Sequence, residues 1–120
     1  MTVENPALAF WIADEPITIP RGSQANVTIT VNSTEDFELN LTAQNDQTRP
    51  MFVDYLLYTQ SDPTNLTTGI NMTVPARGSA TFGLNISVGS SAVVGGAVVY
   101  VHYFLNGSDI GRMPVPFTVA

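Results

Sequence analysis

From Ile17 onward, apolar residues recur at every second position in short runs, and Gly, Pro, Asn and Asp interrupt the runs about every ten residues. That period belongs to the β-strand, whose successive side chains leave opposite faces. Val27, Ile29 and Val31 face one way while Asn26, Thr28, Thr30 and Asn32 face the other. Phe37, Leu39, Leu41 and Ala43 oppose Glu38, Asn40 and Thr42, with Glu35-Asp36 read as a hairpin turn before them. Ile70, Met72 and Val74 oppose Asn71 and Thr73, and Phe82, Leu84, Ile86 and Val88 oppose Asn85 and Ser87. Two runs break the rule. Phe52 to Tyr58 and Val98 to Leu105 are apolar on both faces, as in interior strands or strands covered by a neighbouring chain. In the last run Pro114 and Pro116 stand two apart, so both missing N–H donors fall on one side and predict an edge that pairs little. The pattern predicts an all-β, immunoglobulin-like sandwich of about seven to eight strands over residues 15–120, preceded by an N-terminal strand and linker over residues 1–14.

Composition narrows the partners. Charged residues are 12 % of the 120-residue chain, against a typical ~25 %, and there is no Lys. A net charge of −6 leaves no basic patch for phosphates, which excludes nucleic acid and disfavours anionic membranes. The 44 % hydrophobic content is that of a folded core rather than a disordered chain. The sequence has no Cys. No apolar run reaches the ~18 residues of a membrane span, and no signal peptide stands at Met1, so the chain reads as a mature ectodomain.

Something other than charge must keep this surface wet, and the asparagines supply it. Seven of the nine begin an Asn-x-Ser/Thr acceptor: Asn26, Asn32, Asn40, Asn65, Asn71, Asn85 and Asn106. Composition alone gives about 1.6 such sites, and Thr-rich alternating strands raise that background about twofold, still short of seven. Five of the seven fall on polar faces of strands, while Asn65 and Asn106 are expected in turns. A chain so provided is expected to carry covalent N-glycans, which implies export to the cell surface or beyond. Acceptor sites in quantity without cysteine point to an archaeal surface.

Catalytic chemistry finds few residues, and the expectation is that the chain is not an enzyme. His102 is the only histidine and stands in an apolar strand, where packing or a hydrogen bond explains it. No Cys offers a nucleophile or soft ligand. The carboxylates Glu35, Asp36 and Glu38 cluster at a turn, Asp46, Asp54, Asp62 and Asp109 are scattered, and a Ca²⁺ site needs six to eight converging oxygens. Gly95-Gly96 lacks the flanking pattern of a phosphate loop and reads as a turn. No metal or cofactor is expected. Trp11, Tyr55, Tyr58, Tyr100 and Tyr103 are the aromatics that could stack on sugar if exposed.

The N-terminal run Ala7-Leu8-Ala9-Phe10-Trp11-Ile12-Ala13 is uncharged and apolar, and it precedes a sandwich that already has an opening strand at Ile17 to Ile19. Leu8, Phe10 and Ile12 share one face, and burial of Leu8, Phe10, Trp11 and Ile12 in a partner's groove would make the run a donated strand. It also reads as the chain's own first strand, with Asp14-Glu15-Pro16 as the kink between sheets. The stretch Asn71 to Phe82, with its Val-Pro-Ala-Arg-Gly-Ser turn, followed by Leu84, Ile86, a Gly pair and a Tyr-bearing strand, resembles the second half of prokaryotic immunoglobulin-like surface domains. With seven acceptor sites, no Cys and an apolar N-terminal strand, the whole chain is similar to the subunits of archaeal extracellular threads. The resemblance implies a head-to-tail homopolymer of identical subunits, in which the N-terminal strand of one completes the sandwich of the next. The alternative is a glycosylated spacer or carbohydrate-binding module of a surface-layer or secreted protein.

Overall fold

Alternation at this length can bury only one face of each strand, so the strands must pair into sheets that stack apolar face to apolar face. A computed structural model describes residues 8–12, 17–46 and 50–120. In them ten strands run in chain order: β1 (Leu8–Ile12), β2 (Thr18–Ile19), β3 (Gln24–Ser33), β4 (Leu39–Asn45), β5 (Val53–Thr59), β6 (Asp62–Thr67), β7 (Gly69–Val74), β8 (Ser79–Val88), β9 (Gly95–Leu105) and β10 (Ser108–Val119). The first sheet has the order β1-β3-β8-β5-β6 and the second β2-β10-β9-β4-β7. Pairing is antiparallel throughout, except that β2 runs parallel to β10 over Thr18–Ile19. The fold is the immunoglobulin-like sandwich that the alternation predicts, with an additional strand in β6, whose mostly polar residues show no apolar alternation.

The core lies between the sheets. Val27, Ile29 and Val31 of β3 and Phe82, Leu84 and Ile86 of β8 are fully buried against Leu41, Val99, Val101 and Tyr103 of the opposite sheet. The doubly apolar runs are interior: β9 is the middle strand of its sheet, and β5 lies between β8 and β6. A further tie crosses the sheets at Tyr55, whose hydroxyl accepts from the Asp46 N–H at 2.6 Å and donates to the Tyr100 carbonyl at 2.6 Å. Tyr58 instead lies across Gly83 on the outer face, where any Cβ would fall 2.0 Å from its ring. That Gly is therefore the space the ring occupies.

Several expectations are corrected. The described part of the N-terminal segment, Leu8–Ile12, is the outer strand of the first sheet, paired with β3 of the same chain. The edge of β3 would otherwise present open N–H and C=O groups, and the chain's own strand is the nearest one able to close them. Glu35-Asp36 is no hairpin turn, since β3 and β4 belong to different sheets. It lies on the crossover between them, held by an Arg77–Asp36 ion pair and by the Arg77 N–H on the Glu35 carbonyl at 2.8 Å. Phe37 precedes β4 and is exposed rather than inward. Asn65 lies in β6 rather than in a turn.

Candidate functional site

β1 holds its place through two different faces. Its inward residues Phe10 and Ile12 are half-buried against the core. The Phe10 ring lies 4.2 Å from that of Tyr103 at 34°, and Phe82 meets Tyr103 edge-on at 6.2 Å. Tyr103 belongs to β9, so Phe10 reaches across the interior and caps an aromatic stack spanning both sheets. The Tyr103 hydroxyl is buried with no hydrogen-bond partner among the described residues, and burial pushes this phenol far above its usual range. Whatever strand lies beside β3 therefore decides whether Tyr103 is covered. Trp11 points the other way and stands 60 % exposed, so it is not part of the buried row. Leu8 occupies its register position opposite Ser33. Residues 1–7 and 13–16, including Asp14-Glu15-Pro16, lie outside the described residues.

The remaining sheet edges differ from this one. The N–H groups of Thr118 and Ala120 donate to the carbonyls of Ile17, just before β2, and Ile19, so residues of that parity on β10 face away from β9. Pro114 and Pro116 share the parity and have no N–H to offer, and β2 covers only the last residues of the strand. The expected blunted edge is there. β6 is exposed along nearly its whole length, pairs irregularly with β5 and contains Pro63 and the acceptor Asn65. β7 carries the acceptor Asn71.

The seven acceptor asparagines are grouped by sheet register. Six are exposed and Asn85 is half-buried. Asn26 and Asn85 are directly opposed across β3 and β8, with Asn85 Nδ2 donating to Asn26 Oδ1 at 2.9 Å. On the second sheet Asn40 opposes Thr73 and Asn71 opposes Thr42, so each acceptor lies against the other's hydroxyl residue. Thr42 Oγ1 donates to Asn71 Oδ1 at 2.7 Å. Asn106, at φ 50 in the β9–β10 turn as expected, accepts the Asn40 N–H on its Oδ1 at 3.1 Å and donates its own N–H to the Asn40 carbonyl at 2.8 Å. Asn32 is exposed on β3 beside β1. This grouping could not be read from spacing, because register is a long-range property.

The other candidates have structural surroundings. His102 Nε2 lies 2.8 Å from Asp109 Oδ1, and its ring stacks on Phe104 at 4.8 Å. Hydrogen bonds from His102 and from the Gly111 N–H hold the Asp109 carboxyl below its ordinary range. Arg112 covers the Tyr100 ring at 4.2 Å and reaches Asp46 at 3.3 Å. Asp54 is exposed on β5. Among the described residues no three His, Cys, Asp or Glu side chains are grouped to hold a metal, and no helix is long and apolar enough to cross a membrane. A groove of about 860 Å³ beside Ile17, Val98, Pro116 and Phe117 has no titratable side chain in its walls. Of the five candidate sugar stackers, Tyr55, Tyr58 and Tyr103 are buried and Tyr100 lies under Arg112, which leaves Trp11.

No family profile and no curated protein sequence matches the chain. Solved structures do resemble it. A family 123 glycoside hydrolase from Clostridium perfringens superposes with a TM-score of 0.63 at 11 % identity over 94 % of this chain, which spans only 27 % of the hydrolase. WR4, an MSP family member of C. elegans, superposes at 0.54 with 14 % identity, covering 97 % of this chain and 100 % of that one. A chain of a type I cohesin–dockerin complex from Clostridium thermocellum does so at 0.52 with 9 % identity, covering 95 % and 99 %. Identities this low establish the β-sandwich fold and leave function to the residues.

Proposed function

We propose that this chain is a glycosylated, non-catalytic structural domain of the cell exterior that joins into a head-to-tail filament by exchanging β1 between copies. The observation that carries the reading is the contrast among sheet edges. β10 is blunted by two prolines and β6 contains Pro63, whereas β3 offers a Pro-free edge. That edge is filled by β1, held by one ladder and by Phe10 over Tyr103. If β1 of one copy lies on β3 of the next, every one of these contacts is reproduced, so exchange costs little beyond association itself. The closed single chain is then the unassembled form of the same interface. Only residues 13–16 connect β1 to the sandwich, reaching about 13–14 Å at most, so successive heads would abut closely. Such a contact propagates unless its rotation happens to close. Export is supported by the seven acceptor asparagines, six of them exposed, and by a surface poor in charge.

A second reading is favoured by one observation, the pairing of β1 at home: a monomeric glycosylated spacer module of a surface or secreted protein. Intact mass and electron microscopy of material exported from a glycosylating host decide between them. The proposal expects a mass above the 12.9 kDa polypeptide and filaments. A bare mass removes the basis for the exterior location, and isolated particles select the spacer.

A further inference from the structure

Trp11 is the chain's only tryptophan and leaves β1 on the outer face of the first sheet, 60 % exposed. Its opposed residue on β3 is Thr30, and the next pair on that face is Ala9 with Asn32. Trp11 and Asn32 are thus diagonal neighbours with Cα atoms about 7–8 Å apart, a gap that aromatic and long side chains span. Ala9, directly opposite Asn32, ends at Cβ and leaves the space above it open. Asn32 is exposed and begins the acceptor Asn32-Ser33-Thr34. The nearest other acceptors on this sheet, Asn26 and Asn85, are hydrogen-bonded to each other and lie further along β3 and β8.

We infer that the glycan on Asn32 folds back over Trp11, its first sugar packing a C–H face on the indole and so stapling β1 to β3. A pyranose ring has apolar C–H groups on one face and hydroxyls at its rim, and an indole with one free face and a wet edge suits that division. The occupant is supplied by the adjacent strand and need not diffuse to the site. Under the strand-exchange reading, on which this consequence rests, Trp11 belongs to the donor and Asn32 to the acceptor. The glycan then bridges two subunits and lengthens the life of the joint.

Because Trp11 is the sole tryptophan, its fluorescence reports the contact alone. The full chain, glycosylated by an exporting host, is compared with Asn32→Gln, with Thr34→Ala, which removes the acceptor while leaving Asn32 in place, and with Asn65→Gln as control. Covering one face of an exposed indole should roughly halve its access, so acrylamide quenching rises about twofold in both Asn32-site variants and not in the control. Equal quenching in all four proteins overturns the inference. So does a bare Asn32 in glycopeptide mass spectra. Protection that survives loss of this glycan but disappears on dilution to single subunits means that a second copy covers Trp11, which also overturns it. Quenching in the single-subunit fraction tests the staple whether or not filaments form, so protected Trp11 in a strictly monomeric chain refutes strand exchange alone.

Discussion

The β3 edge and the β10 edge are both terminal ladders of five-stranded sheets, yet they are built oppositely. Along β10 two of the positions whose N–H would face outward are Pro114 and Pro116, and among the described residues a neighbour is found only at Thr18–Ile19. Along β3, residues Ile29 to Ser33 carry every backbone donor and receive five residues of β1 in unbroken register. Beneath β10 the core is closed by β10's own Val115 and Phe117. Beneath the β3 edge Tyr103 is closed by Phe10, which arrives on the added strand. One edge refuses a strand and the other is incomplete without one, and sheet edges left fully open are where chains join.

Phe10→Asp attacks the accepting edge and should have the largest effect. It removes ring burial over Tyr103 and sets a carboxylate among apolar side chains, costing about 3–5 kcal/mol of the β1 association. The expected outcome is loss of filaments, together with a lower denaturation midpoint for the single chain, since the same seat is used in both forms. Unaltered filaments would remove β1 from the joint.

Pro114→Val with Pro116→Val attacks the refusing edge from the other side. Two N–H donors return to a strand with an open flank, so lateral association should appear as concentration-dependent light scattering while the single-chain fold persists. No change in scattering would mean that the prolines do not guard this edge.

The smallest effect belongs to Asp109, at the tip of the β9–β10 hairpin. Its carboxyl is held below its ordinary value first by the hydrogen bond from His102 and then by the Gly111 N–H. A depressed carboxyl contributes stability in full above its ordinary value of 3.8, and that contribution is lost as pH falls through the depressed value. Asp109→Asn should therefore lower the thermal midpoint slightly at neutral pH, with the difference closing in strong acid. The carboxylate is exposed, so solvent screening keeps the effect small. Midpoints measured across pH check the sign.

Much of this contrast was legible along the chain. Alternation places Val27, Ile29, Val31, Leu41, Phe82, Leu84 and Ile86 inside, as found, and two prolines of one parity suffice to mark a poor edge. What alternation does not contain is the choice of partner strand. Glu35-Asp36 looks like a hairpin turn, yet the chain crosses there to the other sheet, because whether consecutive strands pair depends on the whole topology. Asn65 looks like a turn residue because Pro63 and a run of polar side chains hide an edge strand. The reciprocal placement of Asn40 and Asn71, and the diagonal of Trp11 with Asn32, follow from register between strands distant or separately folded in sequence. Phe37 kept the apolar period but fell outside the strand that would have buried it.

The central claim concerns which copy of β3 receives β1, and a chain without Cys allows it to be read covalently. Trp11 and Thr30 are directly opposed, and opposed residues of antiparallel strands have Cα atoms about 4.5–5.5 Å apart, inside the range a disulfide spans. Trp11→Cys with Thr30→Cys, exported from a glycosylating host and oxidised, is run on a non-reducing denaturing gel. Strand exchange predicts a ladder of disulfide-linked subunits that collapses to one band on reduction. A single-subunit band with its thiols fully consumed would show that β1 stays on its own β3, and would contradict the account.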